Sequence, residues 1–477
     1  MIHHILFEST PLLDEQLLRN QIEGTSQRAQ HLQQSIPLSI VQPFPRIDPL
    51  TFFGQGQSIA QERFFWSHPG VYTLVGIGTT WHTVPSETAR FATATQHWQA
   101  LCEQTVLYSE QTIPATGPIS ISGFAFDHEN QCSETWQDYP DGLLVLPRYM
   151  LTHIFGAYWL TINIIIHPDS DIDNEVRAIK EDLYRLFSTQ VELENDYTDC
   201  PLLHLEDVLP AARWQHTVGR AVNSIQQGDM QKVVLARESR VTSDTPLSIE
   251  DTLQHLQDDY PNCYIFALDR GSSCFLGASP ERLVRLHKGS ISTMALAGSI
   301  ARGTTADEDD RLGFQLLAST KDRAEHDFVI HNIHQALADI CTDLTSPPSP
   351  TLMKTASVQH LYTPISGQIN YNHTIFDLVE RLHPTPAVGG QPRDHALNFI
   401  REHEDLDRGW YAGPIGWVDR HGDGEFAVAI RSALLRENSA SLFAGCGIVA
   451  DSDPEREYAE SQLKLRPILN ALNGKYT

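Results

Sequence analysis

The chain has 477 residues, long enough to bury roughly 75% of its unfolded surface, and 34 Lys and Arg stand against 60 Asp and Glu, a formal charge of -26. A field of that sign repels nucleic acid and anionic membrane surfaces, so neither is an expected partner. It also repels small anions, so a site for one needs local Arg, Lys or a divalent cation.

The N-terminal residues, Met1 to Glu8, lack the basic start and apolar run of a signal peptide. The most apolar segment, Ala157 to Ile166, falls far short of the ~20 residues that a membrane helix needs. Cys102, Cys132, Cys200, Cys263, Cys274, Cys341 and Cys446 are scattered, odd in number and without a C-x-x-C pair. That pattern argues against a disulfide framework or a cysteine zinc site, and for a reducing, cytoplasmic compartment. Residues 1–205 mix helical stretches with strands such as Val71 to Val75 and Trp159 to Ile166, and carry no motif that names a site. The polar segment Glu192 to Pro201 reads as a hinge.

From 206 to 477 the chain is crowded with Gly-rich turns and with charges set inside apolar strands. Val218, Ala221, Val222 and Ile225 have helical spacing, and Gly228 ends that helix. Lys232 to Arg237 reads as a strand. A helix is predicted from near Lys321 to Ile340, with Val329, Ile333, Ala336, Leu337 and Ile340 on its apolar stripe. Ser346 to Pro350 breaks the chain. Ile415 to Val418 and Phe426 to Arg431 form a hairpin around the turn Asp419 to Gly424. A last helix starts with Asp453 as N-cap and Pro454 at the first position. Strands and helices without a regular β-α-β rhythm predict an α+β fold.

Several charges sit where burial is costly. Glu325 precedes Phe328 and Val329 on the expected core side of its helix, so its carboxylate needs a cation or donors. Glu457, Glu460 and Lys464 share one face of the last helix. Their plain reading is an exposed Glu460–Lys464 pair worth ~0.3–0.5 kcal/mol; the functional one is a hard-cation site built with Glu325. Lys232 is either a solvated strand-edge lysine or a partly desolvated general base. Glu281 is either a turn carboxylate or a carboxyl kept protonated as an acid. Arg431, ending an apolar strand, offers a fork of donors to a carboxylate.

The ordered segments Lys232 to Arg237, Gly277 to Leu283, Ala295 to Ser299, Lys321 to His326, His360 to Gly367, Leu382 to Gly390, Asp407 to Trp417, Ala429 to Ala433, Phe443 to Val449 and Glu457 to Leu465 together resemble the chorismate-utilising enzymes: isochorismate, salicylate, anthranilate and aminodeoxychorismate synthases. The resemblance covers nearly all of 210–477. It implies two stacked, mostly antiparallel sheets surrounded by helices, with residues 1–205 building part of the same body. It also implies chorismate as substrate and Mg2+ held by Glu325 and Glu460, with Glu457 acting directly or through water. Arg431, Tyr411 and the backbone at Gly445 and Gly447 would hold the enolpyruvyl carboxylate, and Lys464 the ring-carboxylate end. Gly298 would let the chain pass close to the ring, and His360 and Ala387 would line the pocket. Lys232 would be the base and Glu281 the acid.

Within the family, Ala297 stands where aminodeoxychorismate synthases commonly carry a nucleophilic lysine. Leu6 to Ser9 poorly matches the tryptophan-sensing L-L-E-S motif of anthranilate synthases. Salicylate synthases tend to have threonine at the place of Ala387. These points favour isochorismate synthesis by water addition, with salicylate synthase second and a catalytically silent subunit last. The Phe64 to Pro69 stretch leans toward a quinone pathway, with a siderophore pathway as the alternative. A monomer or weak homodimer is expected.

Overall fold

The computed structural model describes residues 13–472 and 475–476, except 69, 86–87, 112, 131–132, 189–201, 355–357 and 371. The expected hinge at Glu192 to Pro201 and the Leu6 to Ser9 segment lie outside the described residues.

Two sheets dominate the molecule. The first runs Val106–Tyr108, Ile36–Phe44, Ala157–Ile166, Gly142–Ile154, Tyr72–Thr83, Glu62–His68, Tyr264–Arg270, Cys274–Ser279, Ser432–Arg436, Ser439–Ile448, Lys232–Ser243 and Leu202–Asp207. The second runs Ile119–Phe124, Pro414–Asp419, Gly424–Val428, Arg282–His287, Ser290–Ala301 and Val358–Ile369, edged by Cys341–Thr345 and Thr351–Lys354. Gly142–Ile154 joins them: its later residues pair with Ala157–Ile166 and its first with Ile119–Phe124. Among the described residues, pairing is antiparallel except between Ile36–Phe44 and Val106–Tyr108, and between Leu202–Asp207 and Lys475–Tyr476. The expected α+β architecture of stacked, mostly antiparallel sheets is present.

Strand alternation splits the apolar residues between two cores. In Tyr264–Arg270, Tyr264, Phe266 and Leu268 face the core between the sheets. Ile265 and Ala267 face a second core, under helices that include Glu15–Leu32, Ile172–Ser188 and Pro454–Ala471. Tyr72 of the first sheet and Trp417 of the second meet edge to face at 5.7 Å. Between the sheets, Glu425 is fully buried and accepts from His68 Nδ1 at 2.8 Å, Tyr264 Oη at 3.0 Å, Arg282 Nε at 2.9 Å and Tyr72 Oη. Burial alone would raise its pKa, but His68 and Arg282 outweigh that and pull it down to about 2. A buried carboxylate is tolerable because its lone pairs are met in this way. Residues from either side of position 205 share both sheets, since Glu62–His68 pairs with Tyr264–Arg270 and Ile119–Phe124 with Pro414–Asp419.

The capping signals act as the sequence predicts. Asp453 accepts from Arg456 N at 3.0 Å to start Pro454–Ala471. Gly228, at φ 89, ends Ala211–Gln227. Three expectations need correction. The helix from Thr320 stops at Leu337 rather than Ile340. In its second turn the core-facing residue is His326, which lies 2.8 Å from Thr363 Oγ1 and is buried with Val329, Ile333 and Leu337, while the Glu325 side chain is 31% exposed on the flank. The expected strand through Arg431 stops at Val428, and Arg431 turns away at φ 52.

Candidate active site

Where the sheet edges and two helices meet, a cavity of about 280 Å³ is lined by Lys232, Glu281, Gly298, Glu325, His360, Ala387, Tyr411, Arg431, Gly445, Gly447, Glu457, Glu460 and Lys464. Every residue singled out from the sequence thus reaches one space.

At one end stand Lys232 and Glu281. Lys232 opens the strand Lys232–Ser243, and Gly447 lies on the neighbouring strand. A Cβ on Gly447 would come within 2.7 Å of Lys232 Cε, so glycine there leaves room for the amine. Lys232 Nζ donates to Glu325 Oε1 at 2.7 Å. Glu281 lies in the short link between Cys274–Ser279 and Arg282–His287, with its backbone bonded to Val428 N at 3.1 Å and Ser279 Oγ at 3.2 Å. The residue is 7% exposed, and its side-chain partner is Thr385 Oγ1 at 3.4 Å. Burial pushes its pKa up to about 7, against the lowering influence of Thr385 and Lys232. A carboxyl so placed is substantially protonated at neutral pH, as an acid requires.

At the other end, Pro454–Ala471 presents Glu457, Glu460 and Lys464. Oxygen atoms of Glu457 and Glu460 and the Cys446 Sγ all lie within 4.8 Å of one another. Burial raises Glu457, and Ser452 Oγ donates to it at 2.7 Å. Burial also acts on Glu460, but Lys464 at 2.7 Å, with Arg431 and Lys232, outweighs it and holds the carboxylate below its usual range. Burial drives the Cys446 thiol up to about 12, so it stays protonated. Two carboxylates facing one cavity fit a hard cation that takes oxygen donors and keeps waters; Glu325 lines the same cavity from its own helix but lies outside that group and bonds to Lys232.

Between the ends, groups suited to an anion converge. Arg431 is half-buried, makes no ion pair among the described residues, and is held in a left-handed conformation that side chains seldom adopt. Tyr411 is buried against Phe443, and burial raises it to about 12. Lys464 Nζ also donates to Gly445 O at 2.9 Å. Burial, then Arg431 and Lys464, hold His360 down at about 3, so it is neutral; its Nδ1 lies 2.7 Å from Ser299 Oγ. Gly298, at φ 77, sits where the pairing with Val358–Ile369 slips between Ala297 and Ser299, a bulge that reshapes the cavity wall. Ala297 lines the wall without a nucleophile.

Thr385, Ser299 and Cys446 were not singled out from the sequence. All three lie inside recognised segments, but nothing in their spacing marks them as neighbours of Glu281, His360 and Glu457.

A family model described as chorismate binding enzyme matches residues 23–473. Among relatives, the isochorismate synthase MenF of Bacillus subtilis is 37% identical over 97% of this chain and 98% of its own length. A salicylate biosynthesis isochorismate synthase of Pseudomonas aeruginosa is 38% identical over 96% and 94%. The solved structure of MenF, the menaquinone-specific isochorismate synthase of Escherichia coli, aligns with a TM-score of 0.75 at 28% identity, over 95% of this chain and 99% of that one. Together with the cavity, these matches place the chain in the chorismate binding enzyme family.

Proposed function

We propose that this protein is an isochorismate synthase, an isomerase that interconverts chorismate and isochorismate. The observation that carries the reading is the pairing in one cavity of a lysine amine, Lys232, with a buried carboxyl raised to about 7, Glu281. Lys232 takes a proton from the water that attacks C2 of chorismate. Glu281 gives its proton to the departing C4 hydroxyl, which leaves as water while the ring double bonds shift. Arg431, Tyr411 and the backbone at Gly445 and Gly447 hold the enolpyruvyl carboxylate, and Lys464 the ring-carboxylate end. Glu325, Glu460 and Glu457 would hold Mg2+, which when bound neutralises the ring carboxylate and favours charge flow through the ring. Ala297 leaves water as the attacking group.

End-to-end similarity to MenF proteins supports a place in menaquinone synthesis. A cytoplasmic monomer or weak homodimer completes the proposal. The test is to incubate the protein with chorismate and Mg2+ and to separate the products. A chorismate–isochorismate mixture without pyruvate is expected. Salicylate with pyruvate would make it a salicylate synthase, and amination on adding ammonia would overturn water addition.

A further inference from the structure

Arg408, in the Asp407 to Trp417 segment, has no place in the chemistry above, yet its side chain bonds to two walls of the cavity. Arg408 and Glu404 are a buried pair, with side chains 3% exposed each. Arg408 Nε and Nη2 donate to the two Glu404 oxygens at 2.6 and 2.7 Å. The remaining donors go to backbone: Nη2 to Val234 O at 2.7 Å and Nη1 to Val388 O at 2.9 Å. Glu404 Oε2 also accepts from Ala236 N at 2.7 Å. The guanidinium lies 4.3 Å over the Phe126 ring.

Val234 is two residues beyond Lys232 on the same strand, and both line the cavity. Val388 belongs to the segment that carries Ala387 and Thr385, the partner of Glu281. That segment docks on the strand by Val234 N to Gly389 O at 2.9 Å and Gln231 N to Gln391 O at 2.8 Å. The strand of the base and the segment bracing the acid are therefore gripped by one planar fork. A fork of this kind fixes angles as well as distances, which a lysine ammonium cannot do. A buried ion pair is weak evidence for stability, because its desolvation cost offsets its attraction. Its bonds to two backbone segments point to geometry as the role.

From this geometry we infer that Arg408, locked by Glu404, is a positioning residue that sets the spacing between Lys232 and Glu281. The inference rests on the proposed acid–base reading of that pair. Arg408→Lys keeps the charge and loses the fork; Glu404→Gln keeps the acceptor for Ala236 N and loosens the pair. Displacing reacting groups by about 1 Å can cost on the order of 100-fold, so kcat should fall by roughly 10- to 100-fold in Arg408→Lys, with KM nearly unchanged. Glu404→Gln should show a smaller fall of the same kind. Amide exchange at Val234, bonded across to the docked segment, should speed up in both variants. Folded variants with wild-type kcat and wild-type exchange would overturn the inference. So would activity lost only in proportion to circular dichroism signal, which marks a merely structural residue. A wild-type protein that makes another product would count against the isochorismate reading alone, because the variant-to-wild-type ratio and the exchange rates test the clamp whatever the product.

Discussion

The two ends of the cavity hold the same side chain in opposite states. Glu281 is 7% exposed and faces one hydroxyl, so burial dominates and its pKa climbs to about 7. The Glu460 side chain is 50% exposed beside Lys464, and the nearby cations outweigh desolvation and hold it ionised. Residue type alone does not separate the two: water access and the charge of the nearest neighbours make one carboxyl suited to an acid and the other suited to a cation.

The sharpest way to break this contrast is at the acid–base end. Lys232→Ala and Glu281→Gln should each abolish turnover, a loss of at least ~10²–10⁴-fold, with fold and Mg2+ binding retained. Retained kcat in either would remove that residue from its role. Next, Glu460→Ala should lose activity and also Mg2+ affinity in a calorimetric titration; unchanged affinity would show that the ligand lies elsewhere.

The pH dependence sharpens the comparison. As the acid, Glu281 must be protonated, so kcat/KM should fall as pH rises through about 7. Thr385 lowers that pKa, so Thr385→Val should move the alkaline limb upward, whereas a limb unmoved or moved down would deny the contact. Stability should follow the same sign. A carboxyl whose folded pKa exceeds its unfolded value contributes stability in full below about 4.5 and loses it as pH rises through about 7. Glu281→Gln removes that loss, so between pH 4 and 8 denaturant melts of the variant should fall less than wild type, by up to about 3 kcal/mol. The smallest effect belongs to the other end. Lys464→Met breaks a partly exposed pair and a bond to Gly445 O and should change stability by only about 1 kcal/mol, while raising KM for a dianionic substrate.

Much of the candidate site was legible in the chain because its marks are local. Asp453 and Pro454 start the last helix wherever it packs, and helical spacing alone puts Glu457, Glu460 and Lys464 on one face. The ordered segments carry the thirteen residues singled out for the site, all of which line the cavity. Less legible was which face of Thr320–Leu337 meets the core, since Glu325 and His326 are adjacent and only packing against Ala297 and Thr363 chose the histidine. The left-handed turn at Arg431 escaped for the same reason, because Val428 and Ile430 continue an apolar run that reads as strand.

By itself the sequence determined the α+β class and the caps, which follow from residue type and short-range spacing, while the proposed base, acid and metal-binding carboxylates were marked by the resemblance of the ordered segments and not by spacing. Only the tertiary structure decided their environments. Glu425 finds His68 across 357 positions, Thr385 meets Glu281 across 104, and Arg408 grips Val234 across 174. Burial and hydrogen bonding depend on such distant neighbours, and no local pattern encodes them.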